Sequence, residues 1–202
     1  MNIEPPVFQS FNKIARLSRP IVITEKIDGT NAQVTITEDG GFFTGSRNRW
    51  ITPESDNFGF SKWAHDHKDE LVKLGVGSHF GEWWGCGIQR GYGLSERRWS
   101  LFNVGRWCLA GQTPKQLPQN NPKAEPKFQD MLPACCHLVP VLWEGMFDTS
   151  EIAMTLHTLE IDGSSAAPGF MQPEGIIIYH RHSGVLFKKT ILKDDVPKGG
   201  VE

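Results

Sequence analysis

The stretch Thr24-Glu25-Lys26-Ile27-Asp28-Gly29-Thr30-Asn31 decides how the rest of the chain is read. Before it, Ile21-Val22-Ile23 is a β-branched run; after it, Gln33-Val34-Thr35-Ile36-Thr37 alternates polar and apolar residues. β-Branched residues fit a pleated, half-buried surface and Asp-Gly supplies turn chemistry, so the stretch reads as strand, turn, strand. Lys26 then stands at the end of a buried strand, with its amine placed by the turn. The same pattern describes a plain hairpin with a solvated lysine, and these residues alone do not separate the two.

Working outward from it, Phe8, Phe11, Ile14 and Leu17 recur every third residue and predict a short amphipathic turn packed on the core. On the other side, Thr37-Glu38-Asp39-Gly40-Gly41 is a turn and Phe42-Phe43-Thr44 a returning strand, followed by Gly45-Ser46-Arg47-Asn48-Arg49-Trp50. Trp63, His67, Leu71 and Leu74 have helical spacing, with Gly75 as the stop. That period makes His67 a packing or surface residue; neither it nor His65 is read as a ligand. In Phe80-Gly81-Glu82-Trp83-Trp84-Gly85 the tryptophans bury Glu82, and a buried carboxylate without a partner is costly. Arg90-Gly91-Tyr92-Gly93 is a basic, glycine-rich loop able to face nucleic acid, and Trp99 to Val104 alternates as a strand.

Residues 111–130, rich in Pro, Gln, Asn and Lys, predict a mobile loop inside one domain spanning 1–202. Leu138 to Leu142 is an apolar edge strand interrupted by Pro140. Asp148-Thr149-Ser150-Glu151 caps a helix through Ile152, Leu156 and Leu159. The small residues from Gly163 to Gly169 allow close approach of a nucleotide or polynucleotide backbone. Two more strands follow, Glu174 to Tyr179 and Val185 to Ile191; alternation in the second puts Lys188 and Thr190 on one face and Lys189 on the other.

Composition bounds the function. With 202 residues the chain can bury a substantial core, and a net charge of −2 leaves nucleic-acid binding to local basic patches. No apolar run approaches the roughly 20 residues of a membrane helix, and Met1-Asn2-Ile3-Glu4-Pro5-Pro6 is not a secretory signal. Cys86, Cys108, Cys135 and Cys136 form no C-x-x-C pair; reduced thiols are the expectation, with a metal site from Cys135-Cys136-His137 and Cys108 as the alternative. A cytoplasmic protein without membrane contact is expected.

Lys26-Ile27-Asp28-Gly29 resembles the first motif, Lys-x-Asp-Gly, of the covalent nucleotidyltransferases, among them polynucleotide ligases and mRNA capping enzymes. The longer Glu25 to Asn31 is similar to the RNA ligase branch, especially its nick-sealing members. Gly45 to Trp50 resembles the family's Ser-Arg motif, Phe80 to Gly85 its third motif, Pro173 to Tyr179 its fourth and Val185 to Ile191 its fifth. These blocks span residues 24–191 in the family's order. Asn103 departs from it, standing where the family normally has aspartate, and Lys188-Lys189-Thr190 resembles the Lys-x-Thr form that the last motif takes in some short members.

The resemblance implies an α+β nucleotidyltransferase fold, an ATP-grasp-like ligase adenylation domain of antiparallel sheets flanked by helices. It implies an ATP-dependent RNA ligase using Mg²⁺ or Mn²⁺, in which Lys26 forms lysyl-AMP, AMP passes to an RNA 5′-phosphate, and a 3′-hydroxyl seals the strand. Lys26 and Lys188 are the implied catalytic pair. The implied nucleotide contacts are Glu25, Ile27, Asp28, Asn31, Arg47, Glu82, Phe102, Glu174 and Lys188. Within that set Glu25 accepts from the adenine amino group, Phe102 stacks on the base and Glu82 accepts from ribose hydroxyls. Arg47 and Lys188 meet phosphates; Glu174, with Asp28, places the metal. Taken without the family, Arg47 also reads as a solvated strand end and Phe102 as core. Only Leu192 to Glu202 follow the last motif, so the expectation is either a minimal ligase or one in which a partner protein or dimer mate supplies further RNA engagement. A DNA-sealing enzyme, a GTP-using capping-type enzyme, and a non-catalytic nucleotide- or RNA-binding relative are the alternatives.

Overall fold

The computed structural model describes residues 7–118, 124–192 and 194. The elements in chain order are β1 (Pro20–Lys26), β2 (Thr30–Ile36), β3 (Phe42–Ser46), β4 (Trp50–Ile51), α1 (Phe60–Asp66), α2 (Lys68–Leu71), β5 (Gly77–Gly85), β6 (Arg97–Leu101), β7 (Trp107–Cys108), β8 (Asp130–Met131), β9 (His137–Leu138), β10 (Val141–Met146), α3 (Thr149–Asp162), β11 (Gly175–His180) and β12 (Val185–Thr190). They build a four-stranded sheet ordered β10-β1-β11-β12 and a six-stranded sheet ordered β4-β3-β2-β5-β6-β9, with β7 and β8 as a small separate pair. Neighbours are antiparallel except β6 with β9 and β7 with β8. This is the expected α+β class of antiparallel sheets flanked by helices.

The strand–turn–strand reading of Lys26 is corrected in its topology. β1 does not pair with β2: it lies between β10 and β11, while β2 lies between β3 and β5. Ile21, Val22 and Ile23 are 0–4% exposed, so this run is buried on both faces, and its two edges are paired by β10 and β11. A hairpin would have filled one of those sides with β2. Ile27-Asp28-Gly29 instead carries the chain from one sheet to the other, and this crossing positions the site.

Three clusters hold the layers together. Ala32, Val34 and Trp83 on the six-stranded sheet pack against Phe60, Ala64, Leu71 and Leu74 from α1, α2 and the turn after them. Ile21, Ile23, Ile176 and Ile178 on the four-stranded sheet pack against Leu159, Ile152 and Leu156 of α3. A third cluster, Ile27, Trp84, Tyr92, Val139 and Ala167, lies around the crossing. As expected, Asp148 caps α3 by accepting from the Ser150 N–H at 2.7 Å.

Other expectations change. The single helix read from Trp63 to Leu74 breaks at His67 and ends in a 3-10 turn at Gly75, while His67 stacks on Trp63 with ring centroids 4.8 Å apart. Phe8, Phe11, Ile14 and Leu17 form no packed turn: residues 7–16 have no regular structure, and these side chains are 62–88% exposed. So short a helix does not hold without a surface to bury it. Pro140 splits the predicted Leu138–Leu142 strand into β9 and the start of β10. Of the 111–130 loop, residues 119–123 lie outside the described residues, and its flanks are joined by a bridge between Gln116 and Phe128. No helix among the described residues is long and apolar enough to cross a membrane.

Candidate active site

Two rows of side chains face each other across the crossing. In the four-stranded sheet the register aligns Lys26 with Gly175 and Gly175 with Thr190; two residues along, it aligns Thr24 with Ile177 and Ile177 with Lys188. Aligned residues share a face, so Lys188 and Thr190 lie on the face of Lys26, as alternation predicts, two strands away at about 4.8 Å per strand. Gly175 lets the strands close up, since a Cβ there would meet the Lys189 carbonyl oxygen at 2.2 Å. Lys189, on the other face, pairs with Asp194 at 3.4 Å.

In the six-stranded sheet Asn31, Glu82 and Ser100 form one row. Ser46 is aligned with Ala32, so Arg47 leaves β3 beside Asn31, where it is exposed. Phe102, two residues past Ser100, continues the Glu82 face and is 43% exposed, so it is not the core residue that the strand pattern alone allowed.

Lys26 Nζ forms an ion pair with Glu174, whose side chain is 3% exposed against 20% for the lysine. Glu174 immediately precedes β11, whose first residue, Gly175, lies opposite Lys26 at the end of β1, and this strand pairing brings Glu174 and Lys26 together. Glu82 is 9% exposed; it accepts from the Gly29 N–H and from Asn31 Nδ2, each at 3.0 Å. Burial lifts its carboxyl to about 7, against the Asn31 hydrogen bond and the Lys26 charge, which work to lower it. Gly29 is required by contact: a Cβ there would lie 2.5 Å from the Trp83 carbonyl oxygen and 2.7 Å from Trp84 Cβ.

Asp28 accepts from Arg90 Nε at 3.0 Å, and its backbone N–H donates to the Tyr92 hydroxyl at 2.8 Å. Arg90 also donates through Nη1 to the carbonyls of Gln172 and Pro173, at 2.7 and 3.1 Å. The guanidinium thus ties the crossing to the segment leading into Glu174. Arg90 therefore ties the loop inward, and the sequence pattern marks neither it nor Tyr92 as a site residue. The signal available was Gly91 and Gly93 on either side of Tyr92, which itself takes a positive φ of 52°.

Glu25 points the other way. Alternation puts it on the α3 face, where it is 1% exposed and accepts from Ser164 Oγ at 2.6 Å and the Ala166 N–H at 2.8 Å. Burial raises its carboxyl above the usual range, partly offset by these bonds. Its carboxylate anchors the small-residue loop after α3, so that loop is reached through Glu25 and not directly from Lys26. Ile27 is 4% exposed within the third cluster, and a ligand would meet its backbone rather than its side chain.

Among the described residues no group of three or more His, Cys, Asp or Glu could hold a metal ion by itself, which removes the cysteine–histidine alternative. Cys135 and Cys136 have their sulfurs 3.9 Å apart and remain thiols. Glu174, with Glu82 close enough to feel its charge, suits a cation that arrives with phosphates and keeps most of its other ligands from water.

A family model described as RNA ligase matches residues 19–193. No curated protein sequence matches the chain. Among solved structures, a variant of Naegleria gruberi RNA ligase with ATP and manganese superposes with a TM-score of 0.56 at 18% identity, over 86% of this chain and 50% of that one. A variant with AMP and manganese gives 0.56 at 17% identity over the same shares, and an apo variant 0.55 at 18%. At these identities the likeness is one of fold, and this chain spans about half the length of the structures it matches.

Proposed function

Because the chain belongs to the RNA ligase family, we propose that it is an ATP-dependent nucleotidyltransferase that joins RNA ends through lysyl-AMP on Lys26. The observation that carries the reading is the Lys26–Glu174 ion pair at the crossing between the sheets, facing the Asn31–Glu82 row. The Naegleria gruberi ligase variants with ATP and manganese support the choice of nucleotide and of a divalent metal.

The chemistry follows from the side chains. A lysine amine attacks phosphorus only after giving up a proton, and Glu174 touches Nζ in position to take it. The Nζ lone pair forms a bond to the α-phosphorus of ATP, the bond to the β-phosphate oxygen breaks, and pyrophosphate leaves. Lys188 and Arg47 meet phosphate oxygens, Arg47 through paired charge-assisted bonds. Glu82 accepts from the ribose hydroxyls, Asn31 holds Glu82 in place, and Phe102 stacks on the base. Asp28 acts through Arg90, fixing the backbone on which Lys26 is carried; Glu25 fixes the 164–167 loop beneath the nucleotide. Were a divalent metal bound with the phosphates, Glu174 would help to hold it through water, and it would supply positive charge where the phosphates gain negative charge. An RNA 5′-phosphate oxygen then displaces the amine from phosphorus, Lys26 regains its proton, and a 3′-hydroxyl displaces AMP to form the phosphodiester.

The test uses ATP labelled at the α-phosphate. Label should remain on the denatured protein, be released by 5′-phosphorylated RNA, and be absent from Lys26→Ala. Labelling of that variant at the wild-type level would remove the reading.

A further inference from the structure

Past Glu82 the same face of the six-stranded sheet leaves the cleft and opens to solvent. The register places Phe80 opposite Gln33, Gln33 opposite Gly45, and Gly45 opposite Trp50, with Phe43 one step along β3. Trp50, Phe80 and Phe43 are 57%, 52% and 49% exposed, and the Phe43 and Trp50 rings lie 5.9 Å apart. The floor between them is flat and polar. Gln33 lies over Gly45, where a Cβ would meet its Cγ at 2.8 Å, and the hydroxyls of Thr35 and Ser78 share a hydrogen bond of 2.8 Å.

These rings are not spare core. The opposite face of the same strands already supplies Ala32, Val34 and Ile51 to the first cluster. Three large aromatics on one open sheet face are an unusual apolar exposure, and such exposure marks a contact surface. The surface is continuous with the Arg47–Asn31–Glu82 row, and the β3–β4 turn adds the exposed Arg47 and Arg49 to its rim. Arg49 reaches Ser55 through Nη1 at 3.1 Å, while Glu38 and Asp39 bound the far end.

We propose that Phe43, Trp50 and Phe80 form a stacking platform for unpaired bases of an RNA strand, leading from the candidate active site toward the β2–β3 turn. The proposal rests on the ligase reading for the kind of polymer and goes beyond it in choosing single-stranded over fully paired ends. Every base has a π-face, so aromatic rings above a polar floor take any sequence. A duplex hides those faces, and its phosphates would meet only the rim. Arg47 and Arg49 supply the charge that a strand backbone requires and an apolar protein partner does not.

The experiment is fluorescence anisotropy on the full chain without nucleotide, using a short labelled single-stranded RNA and a blunt duplex of the same length. Phe43→Ala/Trp50→Ala should bind the single strand about tenfold or more weakly, the scale of one lost stacking contact. Trp50→Phe should keep most of the affinity, and duplex binding should not change. Urea midpoints report that each variant is folded. No single-strand binding by wild type, equal affinity in the double variant, or an equal loss on duplex would overturn the platform. So would sedimentation showing a wild-type dimer that the double variant dissolves, because a second copy would then cover this face. Covalent labelling of wild type by ATP is followed in parallel; its absence would count against the ligase reading and leave the anisotropy result to stand by itself.

Discussion

Lys26 and Glu174 are 148 positions apart in the chain and meet as an ion pair, because β1 and β11 are neighbours and both end at the crossing between the sheets. The lysine keeps one-fifth of its side chain exposed while the glutamate is almost wholly buried. In the proposed reaction this contact orients the amine and gives its proton a destination.

Replacing Glu174 by Gln keeps the shape and removes the charge. Covalent labelling by ATP should slow by about 100-fold or more, the range of a lost proton acceptor. Stopped-time labelling measures it, with circular dichroism as the check on the fold. An undiminished rate would take Glu174 out of the chemistry.

Glu82 sets a pH dependence. Burial lifts it from the ordinary 4.5 to about 7, so between those values the folded chain holds a proton that the unfolded chain gives up. The stability attached to that proton falls as pH rises through this window. Ribose binding draws on the ionised carboxylate, so the efficiency of labelling should rise with a midpoint near pH 7. In Glu82→Gln that limb should disappear, while urea midpoints should vary less with pH between 5 and 7 than in wild type.

Arg90 joins Asp28 to the carbonyls of Gln172 and Pro173. Arg90→Met leaves a half-hidden aspartate without its cation, and about 1–2 kcal/mol should be lost after allowing for solvent screening. Arg90→Lys should recover little, because a point charge cannot span all three acceptors. Urea denaturation of the three proteins decides this, and full recovery by lysine would show that charge alone matters.

Gly29→Ala would press a methyl group onto the Trp83 carbonyl oxygen, and the crossing would have to shift. About 1–3 kcal/mol of destabilisation is expected. Labelling should fall further than the loss of folded protein explains, because the Gly29 N–H also holds Glu82. Thermal unfolding together with labelling per folded molecule tests both parts.

Where the candidate site residues stand in the fold was partly legible in the sequence, because they sit at or beside strand ends marked by glycine and charge. Lys26, Glu82, Glu174 and the face shared by Lys188 and Thr190 follow from period-two alternation and the family's motif order. The topology was not legible: Asp28-Gly29 carries turn chemistry, and only the strand pairings, β1 with β10 and β11 and β2 with β3 and β5, show that the turn joins two sheets. Arg90 was hidden for a related reason. A basic residue at the start of a glycine-rich loop reads as outward-facing until the fold places Asp28 and two carbonyls around it. Glu25 stands beside Lys26 in sequence, yet alternation sends neighbouring side chains to opposite faces. The apolar spacing from Phe8 to Leu17 misled because a periodic pattern predicts packing only where a surface exists to receive it.

The most direct measurement of the central claim is peptide mapping by mass spectrometry after incubation with ATP and Mg²⁺. One AMP on the peptide carrying Lys26, lost in Lys26→Met, is the predicted result. An adduct on any other residue, or none under conditions where the folded chain binds ATP, would contradict it.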